Sequence, residues 1–272
     1  MNTPVSDARK NSSRFKGFAD LYDAARPSCP EYVVCVLTRY LGYSPRTVVD
    51  IGCGTGLSTR VWKNAADSVI GIEPSEDMIA QATGNNTNNE NIKFIQSFSD
   101  ETGLDDGAAD IITCSQSFHW MEPDSTIREI SRVLKSGGVF AAYDYDLPPI
   151  CGTDIELSYR ELFRRVADIR ENLRESIESH SRNPKDKHIE NLQNSGYFRY
   201  TREILFSNTE NFSAKRFYQL ALSQGEIQIL IKKDPSLIAE ELKIFREKAE
   251  NAFGFSVLPV EFCYRMRMAV RK

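Results

Sequence analysis

The chain has 272 residues, 41% of them hydrophobic and 26% charged, with a formal net charge of −4. That length suits one larger α/β domain with an insertion, and the apolar content supports a globular core. The acidic balance speaks against nucleic acid as a partner, and no apolar run approaches the roughly 18–20 residues that span a bilayer.

The first half alternates two periodicities. Thr47–Ile51 is a β-branched run, read as a buried strand, followed by a helix over Leu57–Ala66 and a second strand over Ser68–Ile72. Ser75–Ala82 reads as a helix with Ser75 as its N-cap and Glu76 and Asp77 in the first turn. Asn85–Asn91 is an Asn-rich loop. Ile92–Ile95 is the third strand, and Asp110–Ser115, entered through Asp105-Asp106-Gly107, the fourth. A helix over Asp124–Leu134, closed by Gly137, leads to a fifth strand over Gly138–Asp144. Strands alternating with helices predict a mostly parallel sheet with helices on both faces.

The second half changes character. Asp154–His180 carries Leu162, Val166, Ile169, Leu173 and Ile177 on one helical stripe. A strand over Arg199–Phe206, a helix over Asn211–Ser223 and a helix starting at Asp234-Pro235 follow, the last continuing through Ile238, Leu242, Phe245 and Ala249. Val260–Val270 is the final strand. The expected division of this single domain is a helical lid over residues 1–45, a ligand-binding half over 46–146, helical cap segments over 147–195 and 207–256, and closing sheet strands over 196–206 and 257–272.

The six cysteines are scattered without a C-x-x-C pair and are expected as free thiols. Met1–Lys10 lacks the apolar centre of a secretory signal, so a cytoplasmic location is expected. The three histidines, His119, His180 and His188, stand apart from one another and from any cluster of further ligands; no metal is expected.

The densest chemical signal is the turn Val49-Asp50-Ile51-Gly52-Cys53-Gly54-Thr55-Gly56 between the first strand and the next helix. In doubly wound sheets this edge binds ligands, and glycines let the backbone approach them closely. Glu73 follows the second strand, 23 residues after Asp50, an interval at which an acid accepts hydrogen bonds from ribose hydroxyls. A dinucleotide fingerprint would need Gly or Ala at position 57, where this chain has Leu57. Asp50 would also repel a pyrophosphate, whereas it suits a ligand carrying an ammonium and a sulfonium. Spacing and charge thus favour S-adenosylmethionine over NAD.

With these residues the chain resembles the class I S-adenosylmethionine-dependent methyltransferases, most of all the small-molecule group that includes trans-aconitate methyltransferases. The resemblance runs from about Phe15 to Asp144. Its markers are Tyr22-x-x-x-Arg26-Pro27-x-x-Pro30, the glycine turn, Gly71-Ile72-Glu73-Pro74-Ser75 with Met78, Ser115-Gln116-Ser117-Phe118-His119-Trp120, and Arg132-Val133-Leu134-Lys135-Ser136-Gly137-Gly138. It implies a Rossmann-like seven-stranded sheet, mostly parallel, whose last strand is antiparallel beside the fifth, with helices on both faces and a helical cap. It implies a cofactor site of Tyr22, Arg26, Asp50, Gly52, Cys53, Gly54, Glu73, Met78, Phe98, Ser99, Ser115 and Gln116. There Glu73 would hold the ribose, Met78 cover the adenine and Arg26 pair with the cofactor's carboxylate. Phe98 departs from the acid or small residue usual near its position, which leaves Ser99 to supply the polar contact.

Methyl transfer from a sulfonium needs alignment and exclusion of water, and a base only where the acceptor holds a proton. His119 is the residue expected to act as base or to orient the acceptor, with Asp144 the weaker base candidate. Phe118, His119, Trp120, Tyr143 and Tyr145 are the expected acceptor pocket. The expected acceptor is a small molecule, for example a carboxylic acid undergoing O-methylation. The alternatives are a tRNA or protein acceptor, or a protein that binds S-adenosylmethionine or a dinucleotide without transferring a methyl group. His180 and His188 lie in charged stretches and are expected to be solvated.

Overall fold

The computed structural model describes residues 19–87, 89–173 and 183–272. A seven-stranded sheet organises them, in the order β3-β2-β1-β4-β5-β7-β6. β1 (Thr47–Ile51), β2 (Ser68–Ile72), β3 (Ile92–Ile95), β4 (Ala109–Ser115) and β5 (Leu134–Tyr145) are mutually parallel. β7 (Leu258–Arg271) runs antiparallel between β5 and β6 (Phe198–Phe212), as expected of the reversed last strand.

The central strands are buried and largely apolar because both faces are covered, with Asp50, Asp110 and Thr113 the buried polar exceptions on β1 and β4. Successive side chains point to opposite faces, so neighbours in sequence enter different cores. Val48, Ile111 and Val139 pack with α2 (Glu31–Leu41), which presents Val33, Val36, Leu37 and Leu41 at helical spacing. Val49, Ile112 and Phe140 pack on the other face with Ile127, Ile130 and Val133 of α4 (Pro123–Val133). α3 (Glu76–Gly84) connects β2 to β3 and buries Met78 and Ala82.

The cap is continuous with the first of these cores. Tyr159 of α5 (Thr153–Asn172) meets Phe217 of α7 (Ala214–Leu222) and Phe245 of α9 (Ala239–Phe253), with ring centroids 6.1 and 5.8 Å apart. The short α1 (Ala19–Ala25) lies on α7. α6 (His188–Asn194) packs against β6 and β7, on the face that α4 also covers.

Several elements differ from expectation: the strand expected over Arg199–Phe206 runs on to Phe212, so the helix expected from Asn211 begins only at Ala214. The segment Leu57–Ala66 is a run of turns with one 3-10 turn at Arg60–Trp62 rather than an α-helix. Gly54 and Gly56 are left-handed, the Ser58 and Thr59 hydroxyls bond Asp50, and the Thr55 carbonyl accepts from Arg60, so local side chains hold the backbone out of a regular ladder. α8 (Gly225–Lys233) was not anticipated: the expected helix ends at Ser223, and Gly225 opens a new one. Asp234-Pro235 starts a 3-10 turn, capped by Asp234 accepting from the Ser236 amide at 2.9 Å, and α9 begins only at Ala239. Of the long helix expected over Asp154–His180, α5 ends at Asn172; Ile177 and His180 lie outside the described residues. Among the described residues no helix is long and apolar enough to cross a membrane.

Candidate functional site

The glycine turn leaves β1 at the carboxyl edge of the sheet. The Gly52 and Cys53 amides both donate to the Ile72 carbonyl, at 2.7 and 3.1 Å, which ties the turn to the end of β2. Gly52 and Gly54 have φ of +71° and +54°, in the left-handed region that side chains disfavour. Their surroundings differ. A Cβ on Gly52 would meet Ser117 Cβ at 2.5 Å, whereas one on Gly54 would meet no atom of the described residues within 4 Å. Gly54 therefore faces open space at the cleft.

Glu73 closes the other side of the turn. It is 7% exposed, and its two carboxylate oxygens accept from the Gly54 amide at 3.1 Å and the Ser75 amide at 3.0 Å. Burial pushes its pKa up to about 7, against those two amides, which pull it down. A poorly hydrated carboxylate beside an open glycine is a site for a ligand's hydroxyl donors.

Asp50 has a different role from the one its position implies. It is fully buried, and accepts from Ser58 at 2.6 Å, Thr59 at 2.8 Å and Thr113 at 2.8 Å. Its carboxylate is taken up by three hydroxyls and pins the turn to β4. Asp50 lines neither of the clefts at this edge, so it would act on a ligand's ammonium through its field rather than by contact.

Two adjoining clefts open at this edge. The first is lined by the turn from Gly52 to Gly54 with Leu57, Ser115 and Tyr143. The second is lined by His119, Trp120, Leu147 and Lys185. Tyr22, Arg26, Gln116 and Tyr145 line both. Free space is about 40 Å³ in the first and about 230 Å³ in the second. Ligand pockets typically hold about 300–1,000 Å³, so a ligand of cofactor size needs the cover over the first cleft to give way.

That cover is α1 with Arg26. Asp23 accepts from Thr55 at 2.8 Å, Arg60 at 3.1 Å and Asn85 at 3.3 Å, tying α1 to the glycine turn. Arg26 donates to Tyr145 at 2.7 Å, to the Ser223 hydroxyl and carbonyl at 2.9 and 3.0 Å, and to Gln224 at 3.1 Å, tying it to the cap. All these tethers are polar and side-chain mediated, so they can be exchanged for water or ligand atoms without opening a core. Gln116 marks the junction of the two clefts. It is the one non-glycine residue with positive φ among the described residues, at 53°, and its amide nitrogen is buried without a partner.

Other expected residues lie elsewhere. Phe118 is buried in the core against Phe140 and lines neither cleft. Met78 is 2% exposed, and Ser99 bonds Thr126 at 2.9 Å; neither they nor Phe98 line the clefts. Tyr143 lines the first cleft rather than the second, with its hydroxyl 3.1 Å from Cys29 Sγ. Asp144 is buried, with His119 Nδ1 3.4 Å and Lys185 Nζ 2.8 Å from one oxygen and Arg267 3.5 Å from the other. Burial alone would raise its pKa, but His119 and Lys185 outweigh that and hold the carboxyl well below the usual range. A carboxylate that holds its proton so weakly is a poor base, so Asp144 is better read as orienting His119. His188, expected to be solvated, is fully buried. Asp23 and Lys185 were not singled out; Asp23 sits one position from Tyr22, while Lys185 lies in a charged stretch with no motif around it.

Residues 49–142 match the family described as methyltransferase domain. Among curated proteins the chain is 30% identical over 131 residues to the probable S-adenosylmethionine-dependent methyltransferase CRG1 of Saccharomyces cerevisiae, covering 47% of this chain and 45% of that one. It is 26% identical over 183 residues to the malonyl-[acyl-carrier protein] O-methyltransferase of Nitrosospira multiformis, covering 60% and 58%. The chain spans about half the length of the curated relatives it matches. Its fold is shared with the YcgJ protein of Bacillus subtilis, with a TM-score of 0.55, 16% identity and coverage of 89% and 99%. It is shared also with the [4+2]-cyclase SpnF, with a TM-score of 0.57, 18% identity and coverage of 100% and 99%. The match to a methyltransferase domain thus lies over the glycine turn and the buried acid after β2, and the sheet with its reversed β7 is the fold these structures share.

Proposed function

We propose that the protein transfers the methyl group of S-adenosylmethionine to a small acceptor held in the cleft beside His119. The observation that carries this reading is the pairing of the buried Glu73 carboxylate and the open Gly54 turn with a second, adjoining cleft. The donor set fits the cofactor: a dehydrated carboxylate for ribose hydroxyls, backbone of the Gly52–Gly54 turn, and Tyr22, Arg26, Ser115 and Gln116 around the remainder. Bound S-adenosylmethionine supplies an electrophilic methyl group. The chain's own residues align the acceptor and keep water away.

His119 is the residue we place on the acceptor side, oriented through the nitrogen that faces Asp144. It takes a proton from an acceptor that carries one, and donates to an acceptor that arrives as an anion. Lys185 and Arg26 also line this region, which favours a small acidic acceptor and O-methylation of a carboxylate. A cleft of about 230 Å³ suits a small molecule better than a folded RNA or protein surface.

Titration calorimetry with S-adenosylmethionine and NAD is the first test, with binding of the former alone expected. A screen of small acids, phenols and amines, read out as S-adenosylhomocysteine release, is the second. NAD binding would overturn the cofactor assignment. S-adenosylmethionine binding with no turnover on any class of small acceptor would overturn the small-acceptor assignment and leave the chain a binding protein or an enzyme of another reaction on this fold.

A further inference from the structure

Behind the second cleft, His119 and Asp144 meet a third buried side chain, His188, that has no part in methyl transfer. His188 opens α6 and is fully buried, and neither ring nitrogen has a hydrogen-bond partner among the described residues. Leaving one buried polar nitrogen unpaired costs about 1–3 kcal/mol, and such groups in a native fold call for an explanation. Phe118 holds the ring edge-on, with centroids 4.9 Å apart. One ligand atom each from His119, Asp144 and His188 lies within 4.8 Å of the others, and all three residues are buried.

We propose that His119, Asp144 and His188 form a binding site for a divalent transition-metal ion of the zinc type, with water completing the coordination. Two imidazoles and one carboxylate are donors that such ions prefer. Ligand atoms around one tetrahedral zinc are about 3.3 Å apart, from bond lengths near 2.0–2.1 Å. The three atoms, within 4.8 Å of one another, draw together by up to about 1.5 Å to share one ion. In the sequence these ligands are 25 and 44 residues apart, from His119 to Asp144 and from Asp144 to His188. That spacing hides the site; the β4 edge, β5 and α6 bring its parts together.

The charges around the site set the terms of binding. Lys185 Nζ, 2.8 Å from Asp144, is the cation at that carboxylate oxygen. Its side chain is 37% exposed, so it can swing to solvent and yield the place. Arg267 stays on the other oxygen, and Glu203 at 3.2 Å answers part of its charge. A metal ion therefore exchanges with the Lys185 ammonium. Because His119 and Lys185 line the second cleft, occupancy bears directly on whatever binds there.

The test uses the full chain, stripped with chelator and titrated at neutral pH with Zn²⁺ alone by calorimetry and Co²⁺ alone by absorption. One equivalent is expected to bind, with the ligand-field bands of a low-coordinate, nitrogen-ligated Co²⁺. Lys185→Met is expected to tighten binding about tenfold or more by removing the competing charge. His188→Leu is expected to abolish the stoichiometric site while leaving the melting temperature at or above that of the parent, since it removes an unpaired polar ring. If His188→Leu does not fold, Lys185→Met, at a half-exposed position, carries the test alone. No stoichiometric binding by either the parent or Lys185→Met would overturn the proposal, as would a folded His188→Leu that binds Zn²⁺ as the parent does.

Discussion

Replacing Glu73 with Ala separates binding from folding in a measurable way. In the structure its carboxylate holds two amides and is nearly out of water, with a pKa of about 7 against an ordinary 4.5. Because the folded value is raised, the charged form is the disfavoured one. This residue's contribution to stability is greatest below pH 4.5 and is lost as the pH rises through 7, a total of about 3 kcal/mol. That penalty is already net of the two amide hydrogen bonds; truncation removes it and leaves the Gly54 and Ser75 amides without their acceptor, at about 1–3 kcal/mol each. The two changes largely offset, so the fold survives with a small shift in melting temperature. Ligand binding behaves differently, because ribose hydroxyls need the carboxylate. Affinity of the parent for S-adenosylmethionine is expected to rise with pH through about 7, with proton release on binding below that value. Glu73→Ala should weaken binding by about 1.5–3 kcal/mol, roughly 10- to 150-fold in Kd, and flatten the pH dependence. Calorimetry in two buffers of different ionisation enthalpy reads both. A folded Glu73→Ala protein with parental affinity and an unchanged pH profile would refute the ribose assignment.

Gly54→Val should abolish S-adenosylmethionine binding in calorimetry while the protein stays folded, since its side chain enters the cleft at a left-handed φ and meets no atom of the described residues. Gly52→Ala should instead lower thermal stability, by about 1–3 kcal/mol, because its Cβ meets Ser117 at 2.5 Å; the opposite pattern in the pair would mean that the turn is misassigned. Asp50→Ala leaves three buried hydroxyls without their acceptor and should destabilise the fold by about 2 kcal/mol or more in denaturant unfolding, and a neutral outcome would return Asp50 to a ligand role. His119→Ala should reduce turnover with little change in S-adenosylmethionine affinity; loss of both together would move His119 to the cofactor side.

Much of the parallel half could be read from local pattern. Buried parallel strands are short apolar runs, and Thr47–Ile51, Ser68–Ile72 and Ile92–Ile95 coincide with β1, β2 and β3. The position of β7 came from the family resemblance, since nothing in Val260–Val270 itself states its direction. What stayed hidden depends on contacts distant in sequence. Asp50 looks available in the motif, and only Thr113, 63 residues on, with Ser58 and Thr59, shows that it is already satisfied. His188 stands among charges in sequence, yet the fold turns it against Phe118. Leu57–Ala66 has helical composition, but hydroxyl-to-carboxylate bonds from Ser58 and Thr59 override it.

The pairing of β5 with β7 has a consequence for how the chain matures. β5 ends at Tyr145 and its outer neighbour begins at Leu258, so roughly 110 residues separate them. At a synthesis rate of about 5–20 residues per second, β5 waits about 6–20 seconds for that neighbour to be made. Throughout that interval a long apolar strand, buried along almost its whole length in the finished protein, has an open hydrogen-bonding edge. Such edges template aggregation, and β6, made first, cannot relieve this one, because in the native order it pairs only with β7. The nascent protein thus passes through a stage in which its first five strands are complete and its most adhesive edge is bare. Helper proteins that shield exposed strands would act there, and truncations that stop short of Leu258 should be recovered as aggregates rather than as a smaller folded domain.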